Sequence, residues 1–249
     1  MKQTNTRITP EFETTPLPHR EGQGVDPLYE DNHLIIVNKR PGEIVQGDKT
    51  GDQPLSETVK QYIKEAYAKP GSVFLGVVHR LDRPVGGVVL FARTSKALTR
   101  LNDMFRRGDI HKTYWAIVER NQCPPSASLV HWLKRNEQQN KSYAYDREVP
   151  DSKRAELDYR VLAEGDRYLL LEVNLKTGRH HQIRCQLAKV GLPIRGDLKY
   201  GARRSNPDGS ISLLARSIDF IHPVSQKHIH IEAPVPDDSL WQALFQRIE

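Results

Sequence analysis

The stretch VVHRLDRPVGGVVLFA, Val77 to Ala92, decides the first reading of this chain. Two apolar runs, Phe74–Val78 and Val88–Ala92, flank a Pro/Gly turn that carries one acid, Asp82, between Arg80 and Arg83. Apolar runs this short, closed by a turn, read as strands delivered to the edge of a core. A connection this short also demands antiparallel pairing, because parallel strands need a long crossover.

Working outward, the same grammar recurs. LYEDNHLIIVNKRPG supplies an acidic turn, a strand over 33–38 and a Pro41-Gly42 turn. Leu55, Val59, Ile63 and Ala66 recur at helical spacing, with Pro54 suited to the first turn and Pro70-Gly71 as the stop. Thr94 or Ser95 can cap a helix bearing Leu98, Leu101, Met104 and Phe105, which Gly108 ends. HKTYWAIVE resumes a strand, 155–159 and 168–173 give two more, and 122–125 and 136–140 read as surface loops. Ile183, Leu187 and Val190 form one helical face closed by Gly191. ISLLARSIDFIHP and KHIHIEAP follow as strands. A last helix starts near Asp237 or Asp238 and buries Leu240, Trp241, Leu244, Phe245 and Ile248. Strands and helices interleave without the regular βαβ cadence, so the expected class is mixed α+β around a largely antiparallel sheet.

The 249 residues suffice for a sizeable core, and 37% apolar residues suit a polar-surfaced protein. Residues 1–24 are rich in Thr, Pro and Glu without any period, and are read as a flexible arm ahead of a domain spanning 25–249. That arm lacks the apolar core of a signal peptide, and no apolar run reaches membrane-spanning length, so cytoplasm and no membrane partner are the expectations. Two cysteines, Cys123 and Cys185, make no disulfide framework. The net charge of +6 is modest, but it is concentrated. Lys176–Arg204 carries eight Lys or Arg against the single acid Asp197, and Arg93–Lys112 carries six against two. Such local excess fits a positively charged groove for nucleic acid, or two solvated faces.

A second cationic run, LKTGRHHQIRCQLAKVG, spans Leu175 to Gly191. Asp82 alone is ordinary turn material, able to cap or to be solvated. With a guanidinium nearby it could instead be gripped through both oxygens, and Gly86-Gly87 leaves room for close approach. Tyr114, in HKTYWA, is by default a sheet-face aromatic. His180 and His181 suggest a metal only superficially, since no acid or cysteine set accompanies them at ligand spacing, and no metal is expected.

HRLD followed by glycine, an apolar strand and alanine, together with HKTYWA, LKTGRHHQIRCQL, GLPIRGDLKYG and ISLLARSIDFIHP, resembles the large-subunit rRNA/tRNA type of RNA pseudouridine synthase. The likeness runs from about Val25 to Pro234. It implies a single catalytic domain framing an RNA cleft, and isomerisation of uridine to pseudouridine in structured RNA, rRNA or tRNA. It makes Asp82 the essential catalytic residue. Tyr114 would lie over the extruded base, Ile183 would pack on its other side, and Arg184 would pair with Asp82. Arg80 would occupy the place of the displaced uridine, or else make a salt bridge or phosphate contact. Arg83 and Lys112 would meet RNA, while Arg179, His180, His181 and Gln182 would line the RNA groove or brace the loop. The Gly196-Asp197 turn would position basic side chains. Val85-Gly86-Gly87 replaces the usual Thr-Ser-Gly, and residues 1–24 cannot form the small helical S4-type RNA-binding domain that many relatives carry. No atoms are gained or lost in the reaction, so no cofactor is implied, and no obligate protein partner is expected. The other class considered is a non-catalytic RNA-binding or RNA-chaperone protein on the same fold. An unrelated hydrolase using Asp82 would leave the aromatic and cationic pattern without explanation.

Overall fold

The computed structural model describes residues 24–248. All but Gly24 of the expected arm therefore lies outside the described residues. In chain order the strands are β1 (Pro27–Glu30), β2 (Leu34–Lys39), β3 (Gly76–Val77), β4 (Gly86–Ala92), β5 (His111–Glu119), β6 (Ser126–Asn136), β7 (Lys141–Tyr145), β8 (Lys153–Glu164), β9 (Tyr168–Leu175), β10 (Leu213–Ile221) and β11 (His228–Glu232). The helices are α1 (Leu55–Ala66), α2 (Ser95–Arg107), α3 (Gln182–Lys189) and α4 (Ser239–Phe245).

The strands form one sheet in the order β1-β2-β4-β10-β5-β9-β8-β6-β7, with β3 added to β4 and β11 to β10. A single pairing is parallel, β4 with β10 through Gly86–Leu214 and Gly87–Ala215. The expected largely antiparallel α+β sheet is what forms. Central strands are buried on both faces, hence their continuous apolar runs. In β4, Val89 and Phe91 join a core with α1 and α3, while Val88, Leu90 and Ala92 join a second core with α2 and α4. Helices on opposite faces thus share one central strand, and the turn ahead of that strand holds Asp82.

Local chemistry sets the helix ends. Thr94, rather than Ser95, accepts from the Ala97 amide at the start of α2, and Gly108 ends it in the left-handed region at φ 82°. Pro54 lies just outside α1 rather than within its first turn. At α3, Val190 is 39% exposed, so Ile183 and Leu187 make the buried face without it. In α4, Trp241 and Leu244 are buried, whereas Phe245 is 40% exposed.

The loops expected at 122–125 and 136–140 form, apart from Asn136, which ends a strand, but the residues between and after them are strands not expected from the sequence. They make the β6–β7 hairpin, paired from Trp132–Tyr145 to Asn136–Lys141. Its inward positions include polar side chains: Gln186 on α3 bonds His131 Nδ1 at 3.0 Å, and Ser142 Oγ donates to the His180 carbonyl at 2.8 Å. Polar residues turned inward break the apolar alternation by which a half-buried strand is recognised.

Candidate active site

Asp82 stands in the turn between β3 and β4, where its carbonyl accepts from the Val85 amide at 3.0 Å. Lysine from a neighbouring strand shapes this turn. Lys39 ends β2, is 1% exposed, and sends Nζ to the carbonyls of Val85 (2.6 Å), Arg40 (3.0 Å), Arg83 (3.1 Å) and Asp82 (3.4 Å). Burial pulls its ammonium down to about 8, against the opposing charges of Glu43 and Asp82. Gly87 does the rest: at φ +112°, any Cβ would sit 2.3 Å from the Ala215 carbonyl oxygen, so only glycine lets β4 meet β10 there. At Gly86 a Cβ would come within 3.2 Å of the Pro41 ring. A serine there would be crowded by that ring and would need it to give by a few tenths of an ångström, where glycine needs no adjustment.

The carboxylate meets a distant arginine. Arg184, in the first turn of α3, donates Nη1 to Asp82 Oδ2 at 2.9 Å. Its remaining fork goes to Asp197, Nε to Oδ2 at 2.6 Å and Nη2 to Oδ1 at 2.9 Å. The bidentate grip anticipated on Asp82 therefore falls on Asp197, and the catalytic candidate takes one bond. Asp197 is 1% exposed and Arg184 5%. Burial opposes the guanidinium's charge, but the bonds and charge of Asp197 and then of Asp82 outweigh it and hold Arg184 charged. Asp197 is thus the anchor of Arg184, beyond the turn-forming role expected for it.

Asp82 Oδ1 accepts no hydrogen bond among the described residues, and Asp82 lines a cavity of about 90 Å³. Tyr114 from β5, Ile183 from α3, Leu175 and Leu213 give this cavity apolar walls, and Arg80 and Arg179 stand at it. Burial, then the charge of Asp82, raises the Tyr114 phenol above its ordinary value and keeps it protonated. A flat ring and a branched aliphatic side chain beside one free carboxylate oxygen can bind a planar base by stacking. A wider depression of about 530 Å³ lies at the far end of β5, lined by Arg120, Asn121, Gln122 and Cys123. Its acid, Glu164, is tied to Arg120 at 3.0 Å, so the smaller cavity holds the reactive arrangement.

The remaining candidates divide. Arg80 is exposed, its nearest polar partner being Gln46 Oε1 at 3.5 Å. Arg83 turns away to Asp52 (2.7 Å), Thr50 (2.9 Å) and Asp48 (3.7 Å). Lys112 does not line the cavity: its Nζ lies 5.1 Å from the Phe105 ring centre, and burial lowers its pKa. Gln182 is 3% exposed and braces the loop, accepting from Thr177 Oγ1 and the Arg179 amide and donating to the Glu156 carbonyl. His181 is 8% exposed, with Nε2 3.4 Å from Asp82 Oδ2. Lys39, Asp197 and Tyr200 belong to this constellation and were not singled out as site residues. A lysine ending an apolar strand beside a Pro-Gly turn was the available signal for the first. The histidine of HRLD is also structural: His79 Nε2 accepts from the Leu90 amide at 2.9 Å, and burial holds its ring neutral with a pKa near 3.

The fold and the site together define a base-handling enzyme on a known scaffold. Human RNA pseudouridylate synthase domain containing 4 superposes with TM-score 0.72 over 90% of this chain and 92% of its own, at 20% identity, which shows the shared fold. The RNA pseudouridylate synthase family matches residues 33–189. Ribosomal large subunit pseudouridine synthase C of Vibrio cholerae is 32% identical over 223 residues, covering 87% of this chain and 67% of that protein. The tRNA pseudouridine synthase C of Vibrio vulnificus is 33% identical over 245 residues, covering 89% of this chain and 94% of that one. The chain belongs to the RNA pseudouridine synthase family, isomerases that turn uridine into pseudouridine within RNA.

Proposed function

We propose that this enzyme acts on uridine in structured ribosomal or transfer RNA, with Asp82 as the reacting group. One observation carries the reading: a carboxylate with one oxygen fixed by buried Arg184 and the other free, between the walls formed by Tyr114 and Ile183. The reaction breaks the bond from C1′ to N1, turns the uracil, and joins C1′ to C5. The C5 proton leaves and N1 takes one up, so atoms balance without cofactor or cosubstrate. Asp82 Oδ1 opens the sequence, by attack on sugar or base or by removing a sugar proton. Tyr114 and Ile183 hold the uracil while it is detached. Extrusion of the base costs a few kcal/mol, less in loops and bulges. Arg80 fills the vacated place in the RNA, and Arg179 and the exposed cations around the cleft hold phosphates, which makes binding fall with salt.

Residues 25–249 act as the catalytic domain in this account, residues 1–24 as an arm that contributes to site choice, and the cytoplasm as the place of action. No obligate protein partner is required. Among the described residues no helix is long and apolar enough to cross a membrane. The test is a chemical map of pseudouridine in total RNA from cells with and without the gene. One ribosomal or transfer RNA site is expected to vanish with the gene and to return with the wild-type protein but not with Asp82→Ala. Return of the site with Asp82→Ala would overturn the role given to this aspartate.

A further inference from the structure

Asp82 Oδ2 has a second neighbour besides Arg184, and behind that neighbour lies a buried polar chain. His181 Nε2 is 3.4 Å from Oδ2, its Nδ1 is 2.9 Å from the Tyr200 hydroxyl, and that hydroxyl accepts from the Ser142 amide at 2.8 Å. Tyr200 comes from the 3₁₀ turn Leu198–Tyr200 and Ser142 from β7, so three segments far apart in sequence converge behind one carboxylate oxygen. All three side chains are at least nine-tenths buried, at 8%, 7% and 2% exposure.

The directions along this chain follow from counting protons. The Ser142 N–H can only donate, so Tyr200 oxygen accepts there and has its own proton left to give. The one acceptor within reach is His181 Nδ1, because burial, then Arg184 and His180, holds the imidazole neutral with a pKa near 2. A neutral imidazole that accepts at Nδ1 carries its hydrogen at Nε2, and Nε2 faces Asp82. Turned over, the ring would set Cδ2 against the Tyr200 hydroxyl and Cε1 against Asp82 and lose both polar contacts, while its stack on His180 at 3.8 Å keeps the ring in that plane. The backbone of His181 is left-handed at φ 52°, a conformation that costs any residue other than glycine and costs asparagine least.

We propose that Tyr200 is a positioning residue for the isomerisation: through His181 it fixes the tautomer that presents N–H to Oδ2 of Asp82, so that Oδ1 alone meets the substrate. This rests on the assignment of Asp82 as the reacting group. At 3.4 Å the His181 contact is longer than the Arg184 bond, and such contacts tighten as the reacting complex forms. The β6–β7 hairpin thereby acquires a task at the site, since Ser142 starts the chain.

The test measures single-turnover rate and RNA affinity for Tyr200→Phe, His181→Asn, His181→Gln and the double variant Tyr200→Phe/His181→Asn, each below its own unfolding transition. Tyr200→Phe keeps the ring that packs 5.1 Å from the Arg184 guanidinium and removes only the hydroxyl. Glutamine extends an N–H to the place of Nε2, whereas asparagine reaches only the place of Nδ1. The account expects Tyr200→Phe and His181→Asn each to slow turnover by about tenfold to a hundredfold, the scale of a small misplacement of reacting groups, with RNA affinity unchanged. The double variant should be no slower than either single one, because both cut the same chain. His181→Gln should keep most of the rate although asparagine suits the left-handed backbone better, an order that a merely structural role would reverse. Wild-type turnover in Tyr200→Phe, multiplying losses in the double variant, or losses confined to RNA affinity would each overturn the proposal. Asp82→Asn is run alongside. If it is inactive while Tyr200→Phe is normal, only the positioning role falls; if it turns over, the assignment of Asp82 falls first.

Discussion

Arg184 and Arg83 come from the two stretches that carry the site, and both pair with carboxylates, yet they live under different physics. The Arg184 side chain is 6% exposed and divides its fork between Asp197, 1% exposed, and Asp82. The Arg83 side chain is 40% exposed and meets Asp48 and Asp52, themselves about half exposed. Buried, an ion pair is a commitment, because removing one partner strands a charge away from water. At the surface the same contact competes with solvent and salt and contributes little. The inner arginine therefore fixes geometry. The outer one, held by exposed acids, can exchange them for other anions at little cost.

The largest effect that could break this contrast is at Asp197. Asp197→Ala leaves Arg184 buried with only Asp82, and should cost about 3–5 kcal/mol in denaturant unfolding, the range for a broken buried pair. Turnover should collapse with it, because Arg184 is no longer aimed. Little change in either would mean that the inner network is not what holds Asp82. Lys39→Met comes next. It leaves the carbonyls of Val85, Arg40 and Arg83 without their donor, and should cost about 1–3 kcal/mol by the same measurement. Turnover should fall more than RNA affinity, since the Asp82 turn loses its floor.

A smaller effect comes from a carboxylate remote from the cleft. Burial alone would raise the Asp31 carboxyl, but bonds from His222 and from the His33 and Leu34 amides pull it down to about 2. A carboxyl whose folded pKa lies below its unfolded value stabilises the fold above the unfolded value, near 3.8, and loses that contribution as pH falls towards 2. Asp31→Asn should therefore be less stable than wild type at neutral pH, with the difference closing between pH about 4 and about 2 in acid titrations of unfolding. A difference independent of pH would contradict it. The smallest stability effect belongs to Arg83→Ala, which should unfold like the wild type. Its signature is in RNA binding, where the slope of log affinity against log salt should fall by about 1. If the slope is unchanged, Arg83 keeps its acids in the complex.

Much of this contrast was legible in the sequence, and the illegible part has a physical pattern. HKTYWAIVE reads as a strand and is one, residue for residue, because Tyr114–Val118 is a short, continuous apolar run bounded by polar residues and buried throughout. The helix after Thr94 ends at Gly108 because cap and left-handed stop are both local signals. Asp82 and Arg184 could be named because they sit in distinctive runs of residues. The β6–β7 hairpin was missed where His131 and Ser142 turn inward, since polar side chains that find partners in Gln186 of α3 and in His180 just ahead of it leave no hydrophobic period. Lys39, Asp197 and Tyr200 were missed as site residues for a related reason. Each is held by a partner remote along the chain: Lys39 by Val85, 46 residues on, Asp197 by Arg184, 13 residues back, and Tyr200 by Ser142, 58 residues back. Sequence exposes charge and period; it does not expose which charges are taken out of water together.

The central claim is that Asp82 opens the isomerisation at a site that otherwise only binds. Because C5 gives up its hydrogen when it joins C1′, unmodified RNA carrying tritium at uracil C5 releases label only when pseudouridine forms. The measurement is single-turnover tritium release by purified wild-type protein and by Asp82→Ala, on an RNA that both bind. The account predicts release by the wild type, none by Asp82→Ala, and equal affinity of the two for RNA. Release from Asp82→Ala at the wild-type rate would contradict it.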